Sequence, residues 1–541
     1  MKLRNLCILF LVLLLSLCFN NAKAQNYDII NLGLHYDSIG QTNKALKQYN
    51  KAIKALKQNN SEIIQTANYF SSKRLYEQAI NTYLKGRQLF KDETKYTYEL
   101  SYLYQIEGRN EDIAKEYILL LDKQPNMLTQ IEINLNNLIS RDKDTKLQNI
   151  VNDFALEKVQ KFPQNEAYNR LYYWLLMQKG DYEEGFLQAK AIDKRFSRIY
   201  DQVNDFASQT FNAKKYNLAV KAYEYIINNG KDMAEAYSAK QKRVSCLYNE
   251  FIKKTKTTKQ EAQNLKQEYN KVFSSLGLNE QTAECMKEYA DLLAYKINDA
   301  QEAVDILDSI INMRVNNRLK AECKLKRADI YLINGDIWEA SLIYSQVEKD
   351  FKNETIGSEA KFRNAMLSYY TGDFAWALSQ FDVLRSSTTK LIANDAMEYS
   401  LLIKENIDED SSYKGLTWYA KADFLLYQNR IKEAEMYLDS IEKYFLTHPL
   451  FDEIMYKRAQ IAIKQEDYRN ANSLLNALII KYPYDLTADD AIYTLACLYR
   501  DVFKEDAKAK SYFEKLILDY PSSLYVPQAR KEYEYYEKQK N

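Results

Sequence analysis

Residues 335–352, GDIWEASLIYSQVEKDFK, contain a Gly-Asp pair that begins five residues before Ala340, and an aromatic residue, Tyr344, four residues after it. Thirty-seven residues further on, the stretch GDFAWALSQFDVL (372–384) repeats the Gly-Asp pair, the alanine and an aromatic residue, Phe381, at the same relative positions. Self-similarity at a fixed period of 20 to 50 residues is typical of repeat architectures. The two stretches therefore predict a repeated structural unit rather than a catalytic motif.

The same frame recurs along most of the chain. A small residue, here called the anchor, stands early in the second helix of each expected pair, mostly 34 to 38 residues from the next: Ala45, Ala79, Ala114, Gly185, Ala219, Ala303, Ala340, Ala377, Ala434, Ala471 and Ala509. Twelve residues upstream, another small residue often lies in the preceding helix: Gly33, Ala67, Ala207, Ala328, Ala365, Ala422, Ala459 and Cys497. Four residues downstream, a large aromatic residue often follows: Tyr49, Tyr83, Tyr223, Tyr344, Phe381 and Phe513.

Helix packing gives this pattern its physical reason. Two antiparallel helices approach closely only where small side chains face each other, and a bulky residue then fills the groove beside them. Residues 219–227, AVKAYEYII, show the apolar spacing of an amphipathic helix. Because one helical hairpin cannot bury both of its faces, neighbouring hairpins are expected to stack into a continuous core. The sequence therefore predicts an all-α solenoid of roughly a dozen helix pairs.

This pattern resembles the tetratricopeptide repeat (TPR), a helix–turn–helix unit of about 34 residues. Residues 40–52, GQTNKALKQYNKA, fit it closely, Trp418 falls at the tryptophan position of the first helix, and the resemblance covers most of residues 27–536. The segment LILDYPSSLYVPQARKEY (516–533) is similar to repeats of bacterial outer-membrane assembly lipoproteins and Tol–Pal coordinator proteins. The whole chain is similar to large exported repeat proteins of Bacteroidetes-type bacteria. The resemblance implies a right-handed superhelix and a location in the cell envelope, without a defined activity.

The repeat is irregular in three places, which suggest domain boundaries. Residues 127–160 contain two helical segments without an anchor, residues 244–276 read as one long charged helix, and an additional helix is expected at about 390–404, before the acidic loop 407–415. The basic run KKTKTTK (253–259) is expected to form a solvated face of the long helix. Alternatively, it binds an anionic surface or lipid headgroups. The predicted organisation is a sequence of five segments: 1–24, a signal peptide; 25–243, an N-terminal repeat block; 244–280, the long helix and a connector; 281–405, a central repeat block with the extra helix; and 406–541, a C-terminal repeat block.

The first 24 residues are typical of an export signal. Lys2 and Arg4 precede the apolar run LCILFLVLLLSLCF (6–19), and Ala-Lys-Ala at 22–24 forms a small-x-small cleavage site. The apolar run is shorter than the roughly twenty residues of a membrane-spanning helix. The sequence thus predicts an exported chain, cleaved near Gln25 and located in the periplasm or at the inner face of the outer membrane. The alternative is a lipoprotein with Cys18 as the lipidated residue.

Composition and charge exclude several function classes. The chain has 541 residues with only 12 Gly and 6 Pro, which favours helices almost throughout. Its 75 basic and 74 acidic residues balance, whereas a nucleic-acid-binding protein normally carries a basic excess because it neutralises phosphates. The sequence therefore predicts no nucleic-acid partner.

The sequence also lacks the residue patterns of the common catalytic and metal sites. No P-loop, GxGxxG, GxSxG or HExxH motif occurs, and the two histidines, His35 and His448, are far apart. Cys246, Cys285, Cys323 and Cys497 match no zinc-ligand spacing, although a Cys285–Cys323 disulfide between neighbouring repeats remains open. We therefore predict no enzymatic activity, no cofactor and no metal.

Tyrosine is the most informative residue type, with 46 copies in the chain. In the TPR family the first helix of each unit lines the concave groove, and tyrosine suits recognition because it combines apolar area with a hydroxyl. The alternative is that many of these residues pack between repeats. The groove residues that the resemblance implies are Tyr295, Phe362, Tyr369, Tyr370, Tyr419, Tyr427 and Tyr456.

Two functions are consistent with these features. The first is a non-catalytic protein–protein interaction scaffold of the bacterial cell envelope, which binds a segment of a partner protein in the groove. The second is an accessory factor that associates with carbohydrate or peptidoglycan by stacking tyrosines on sugar rings. The oligomeric state and the identity of the partner are not determined by the sequence.

Overall fold

The structure is a computed structural model that describes residues 26–142, 145–230, 233–254, 256–387, 389–406, 413–445 and 447–539. Within these ranges the chain forms twenty-eight α-helices and no β-strand, and successive helices pack against each other in pairs. The predicted all-α fold of stacked helical hairpins is confirmed, and its right-handed sense stays a prediction. The chain divides into two compact units at residues 255–256, inside the segment 244–280.

Unit 1 contains thirteen helices within its described residues. A short 3₁₀ turn at Pro125–Met127 precedes the seventh helix. The helices are α1 (26–38), α2 (Thr42–Ala55), α3 (Asn60–Ser72), α4 (Tyr76–Phe90), α5 (Thr97–Ile106), α6 (Asn110–Lys123), α7 (Leu128–Ile139), α8 (Lys146–Lys161), α9 (Glu166–Lys179), α10 (Tyr182–Arg195), α11 (Asp201–Asn212), α12 (Tyr216–Asn229) and α13 (Ala234–Lys253).

Unit 2 contains the other fifteen helices. Two of them, α15 and α26, continue into a single π-helical turn, at Leu293–Ile297 and Tyr499–Phe503. The helices are α14 (Lys259–Leu276), α15 (Ala283–Leu292), α16 (Ala300–Asn312), α17 (Asn317–Asn334), α18 (Ile337–Asp350), α19 (Thr355–Thr371), α20 (Phe374–Ser387), α21 (Lys390–Glu405), α22 (Lys414–Tyr427), α23 (Ile431–Tyr444), α24 (Phe451–Lys464), α25 (Tyr468–Lys481), α26 (Ala488–Leu498), α27 (Asp506–Asp519) and α28 (Val526–Gln539).

The anchors lie in the core, as the packing argument requires. All eleven are buried, and so are the six aromatic residues that follow them. At Gly33 the contact is so close that a Cβ atom would lie 2.4 Å from Cε1 of Tyr49, which follows the anchor of the same hairpin. Small residues therefore set the separation of the two helices in this hairpin.

A left-handed residue ends the first helix of each anchored hairpin. In the two stretches that define the repeat, this residue is Gly335 (φ +96°) or Gly372 (φ +86°), five residues before the anchor. Glycine adopts this conformation without the Cβ penalty and satisfies the last carbonyls of the helix. The Gly-Asp pair of the sequence motif is thus a helix stop followed by the start of the next helix.

Two members of the predicted series are shifted by one residue. In α6 the residue five after the left-handed Gly108 is Ile113, which lies twelve after the buried Ser101 and four before the buried Tyr117, so Ile113 rather than Ala114 holds the anchor position. In α26 the small buried residue is Ala496 instead of the half-buried Cys497.

The π-helical turns explain the second shift. A π turn contains one more residue than an α turn. Ala496 consequently lies thirteen residues before Ala509, and in the other hairpin with a π turn Ala290 lies thirteen before Ala303. All four alanines are buried, so the extra residue is absorbed at the turn and the helix contact is preserved.

The prediction of a single helix over 244–276 is wrong, because the helix is interrupted between α13 and α14. Lys254 is extended (φ −69°, ψ 134°), and Thr258 starts α14 with a capping box in which its side chain and that of Glu261 cap each other's backbone N–H. The basic run 253–259 therefore spans the break and does not form one face of a helix.

Two other irregularities are as predicted. Residues 127–160 contain α7 and α8, and α21 occupies the position of the additional helix. The hairpin α19–α20 is followed by α21, which packs on α20, while α22 packs back on α19. Helix α21 is thus unpaired in the hairpin series, and most of the acidic loop that follows, 407–412, lies outside the described residues.

The Cys285–Cys323 disulfide that the sequence left open is not present, since Cys323 is a free thiol, and burial raises the pKa of that thiol to about 12. The predicted signal peptide and Cys18 lie outside the described residues. In the described part of the chain no helix is both long and apolar enough to cross a membrane.

Candidate functional site

A pocket of about 490 Å³ opens in unit 2 beside the unpaired helix α21. Its walls come from the first helices α17, α19 and α22 of three hairpins, from α21, and from Tyr344 of α18. This volume falls within the roughly 300–1,000 Å³ of small-molecule and side-chain pockets. The pocket forms where α19 contacts both α21 and α22.

Aromatic rings form two sides of the pocket. Tyr370 stacks on Phe424, with ring centroids 5.2 Å apart, and lies 6.0 Å from Tyr427. On the other side Phe362 lies 6.4 Å from Tyr399. The Tyr427 side chain keeps 39% of its surface exposed, so part of this wall is accessible from solvent.

A largely buried carboxylate, Asp329, also lines the pocket. The carboxylate of Asp329 accepts a hydrogen bond from the Tyr344 hydroxyl at 2.6 Å, and the Arg363 guanidinium lies 3.3 Å away. Burial raises the pKa of Asp329, against the lowering effect of Arg363 and the Tyr344 hydroxyl. Arg363 also donates to Glu359 at 3.3 Å, so its charge is shared between two carboxylates.

Two further carboxylates face the pocket from α21. Asp395 and Glu398 make no hydrogen bond or ion pair with any residue in the described ranges. Burial raises the pKa of Asp395, and it raises the pKa of Glu398 to about 7, with a further contribution from Asp490 and an opposing one from Lys457. Glu398 is reached by water and yet surrounded by protein, as expected for a side chain on a concave surface.

Four of the seven predicted groove residues lie at or beside this pocket. Phe362, Tyr370 and Tyr427 line it directly. Tyr295, in the π turn after α15, is close enough for the charge of Asp329 to add to the effect of burial in raising the Tyr295 pKa. Its side chain is 43% exposed.

The other three predicted residues have different surroundings. Tyr369 and Tyr419 are buried, so their placement on an accessible groove surface is wrong. The Tyr369 hydroxyl donates to Asp423 at 3.1 Å, and its ring packs on Phe374. Tyr456 is half-buried on α24, where its hydroxyl lies 3.3 Å from that of Thr494 on α26.

Seven residues of the pocket were not predicted from the sequence, two of them apolar, Leu332 and Met366, and five polar or aromatic: Asp329, Arg363, Asp395, Glu398 and Tyr399. A signal for three of them exists, because Asp395, Glu398 and Tyr399 are three and four residues apart and therefore share one face of the predicted extra helix. Asp329 and Arg363 carry no such signal, since charged residues are frequent on every helix of this chain.

Many other tyrosine hydroxyls join one repeat to the next. Tyr96 donates to Asn60, Tyr512 to Asn476 and Tyr525 to Asp490, with donors and acceptors 35 to 36 residues apart and distances of 2.6 to 2.8 Å. The alternative interpretation of the tyrosine content, packing between repeats, therefore applies to these residues.

Two segments of unit 2 match a family model described as tetratricopeptide repeat, residues 453–483 and 490–523. They correspond to the hairpins α24–α25 and α26–α27. These two hairpins are tetratricopeptide repeats by that match. None of the curated protein sequences compared with this chain matches it.

Solved structures align with the chain at low sequence identity. A tetratricopeptide repeat protein from Parabacteroides merdae is 10% identical and aligns over 54% of this chain and 97% of its own, with a TM-score of 0.31. Yeast Tom70 is 14% identical and aligns over 90% of this chain and 99% of its own, with a TM-score of 0.24. At these scores the fold assignment rests on the helix pairs and the family match.

Proposed function

We propose that this protein is a non-catalytic scaffold that binds a segment of another protein in the pocket beside α21. The observation that carries the proposal is an accessible pocket built by the first helices of successive repeats, with aromatic walls and two carboxylates, Asp395 and Glu398, that the described chain leaves without partners. Aromatic side chains in partly desolvated pockets supply much of the affinity at protein interfaces.

We also propose that the protein acts in the bacterial cell envelope. The support for this location is the export signal predicted at residues 1–24 and the resemblance of the repeats to envelope proteins. The outer-membrane association suggested by that resemblance is part of the same proposal.

A photo-crosslinking experiment tests the binding function. p-Benzoylphenylalanine is introduced at Tyr427, in the pocket wall, or at Trp338, an aromatic residue of α18 that is 85% exposed. After irradiation in the native host, the variant with the probe at position 427 should be crosslinked to a defined polypeptide. The variant with the probe at position 338 should not be crosslinked to that polypeptide. The captured segment, made as a peptide, should then bind the purified protein saturably.

Two results would contradict the scaffold function. One is the absence of any adduct specific to position 427. The other is retention of the purified protein on sedimented cell wall with no polypeptide adduct, which would favour the peptidoglycan-associated alternative.

A further inference from the structure

The charges around the pocket indicate what kind of group enters it. We propose that the pocket accepts a cationic side chain, lysine or arginine, from an extended segment of the partner protein. The inference rests on the proposed scaffold function and adds the chemistry of the partner.

The lining of the pocket contains more acidic than basic side chains. Three carboxyl groups, Asp329, Asp395 and Glu398, line the pocket with one guanidinium, Arg363, so the lining carries an excess of negative charge when the carboxyl groups are ionised. Arg363 is already engaged by Asp329 and Glu359. The nearby Lys457 is held by Asp423 at 2.8 Å.

Burial and the carboxylates around the pocket disfavour the charged form of Glu398. A carboxylate that is partly removed from water without a cation or a donor is destabilised in its charged form. A cationic group between Asp395 and Glu398 would offset this cost by forming charge-assisted hydrogen bonds.

The aromatic walls favour an organic cation. Tyr370 and Tyr427 line the same pocket as the carboxylates, and a cation within about 6 Å of an aromatic face is attracted by the ring. A guanidinium group can in addition stack on such a ring. Across the described ranges no group of three His, Cys, Asp or Glu side chains is arranged to hold a metal ion.

Polar and aromatic groups continue outside the pocket, over a larger area than one bound side chain would contact. This favours a segment of a protein chain over an isolated small cation as the ligand. Asp490 on α26 is near enough to influence the pKa of Glu398, and Tyr456 of α24 contacts Thr494 of α26. Polar and aromatic groups therefore continue from α21 toward α24 and α26, along first helices of the following hairpins.

The test uses the full-length protein with 3-fluorotyrosine at position 427 and ¹⁹F NMR titration, which detects weak binding. The probes are Gly-Ser peptides with a single central lysine, arginine, norleucine or glutamate. The test variant is the double substitution Asp395→Asn, Glu398→Gln. The control is Glu339→Gln, Asp350→Asn, which removes two charges from exposed positions on α18.

The lysine or arginine peptide should bind at least about tenfold more tightly than the norleucine and glutamate peptides. The test variant should lose this preference and the control should keep it. The affinity for the cationic peptides should also fall several-fold from pH 8 to pH 6. The reason is that burial and the carboxylates of Asp490, Asp395 and Asp423, opposed by Lys457, raise the Glu398 pKa to about 7.

Equal binding of all four peptides, no binding of any of them at millimolar concentration, or an unchanged preference in the test variant would overturn the inference. The proposed function fails separately, because it requires the adduct from position 427. If that adduct forms equally well in the test variant, the scaffold function stands and the cationic partner does not.

Discussion

At the scale of single residues, the neighbouring tyrosines of α19 show that a repeat pattern does not predict which side chains are exposed. Tyr369 is buried and bonded to Asp423, whereas Tyr370 lines the pocket. Consecutive helical residues point about 100° apart, so a small error in the assumed orientation of a helix exchanges core and groove. The anchors could be predicted because their spacing is recurrent, but the exposure of each tyrosine depends on how the following helices pack.

The left-handed helix ends give a prediction about stability. Lys214 (φ +58°) ends α11 in the left-handed region, where its Cβ is strained. Lys214→Gly should therefore stabilise the folded protein by roughly 1 kcal/mol. Lys215→Gly is the matched control, because Lys215 has a φ of −95° and gains nothing from glycine. Thermal melting checks both, and a lower melting temperature for Lys214→Gly than for Lys215→Gly would contradict the argument.

At the scale of helices, the break between α13 and α14 had a recognisable signal. Thr258 and Glu261 have the spacing of a capping box, and a second β-branched residue, Thr257, directly precedes Thr258. The charged pattern on both sides favoured one continuous helix, since no glycine or proline interrupts it. The two π turns had no such signal. The extra residue can be recognised only when the small residues at which the two helices of the hairpin touch are both known.

The π turn after α26 predicts that one residue there is dispensable. Deleting Val502 would place Ala496 twelve residues before Ala509, the spacing of the other hairpins. We expect this deletion to leave the thermal unfolding temperature within a few degrees of the wild-type value. The matched deletion of Lys464 in α24 would shorten the regular spacing between Ala459 and Ala471 to eleven residues and should destabilise the protein strongly.

Circular dichroism melting of the two deletion variants decides between these outcomes. Equal destabilisation by both deletions would mean that the π turn has a packing role of its own.

At the scale of the whole molecule, the fold class and the two-helix unit could be predicted from sequence, whereas the pocket could not. The pocket depends on α22 packing back onto α19 past α21, a contact between residues more than fifty positions apart. Local periodicity contains no information about such a contact. The same packing collects carboxylates from α17, α21, α24 and α26 in partly buried positions.

These carboxylates predict a pH dependence of stability. Burial raises the pKa of Glu398 to about 7 and of Asp490 to about 6, and burial together with Asp452 raises the pKa of Glu453. The folded state therefore holds protons that the unfolded state releases, and stability falls as pH rises through this range. The melting temperature should be about 3 °C or more higher at pH 6 than at pH 8.

Glu453→Gln should reduce this difference and raise the melting temperature at pH 8, because it replaces a buried carboxylate with a neutral group of the same shape. Glu339→Gln, at an exposed position, should leave the difference unchanged. Calorimetry at the two pH values checks both variants. A wild-type protein that melts at a lower temperature at pH 6 than at pH 8 would show that other groups dominate.

The unpaired helix α21 shows how a scaffold of similar repeats can acquire binding specificity. Identical hairpins would present the same shallow surface at every repeat. A partner segment bound to one repeat could then shift to the next. An inserted helix creates a notch that the regular hairpins around it lack, and in this chain α21 itself brings Asp395 and Glu398 to the notch. Related arrays could diverge in specificity by exchanging this one insert while every hairpin stays the same.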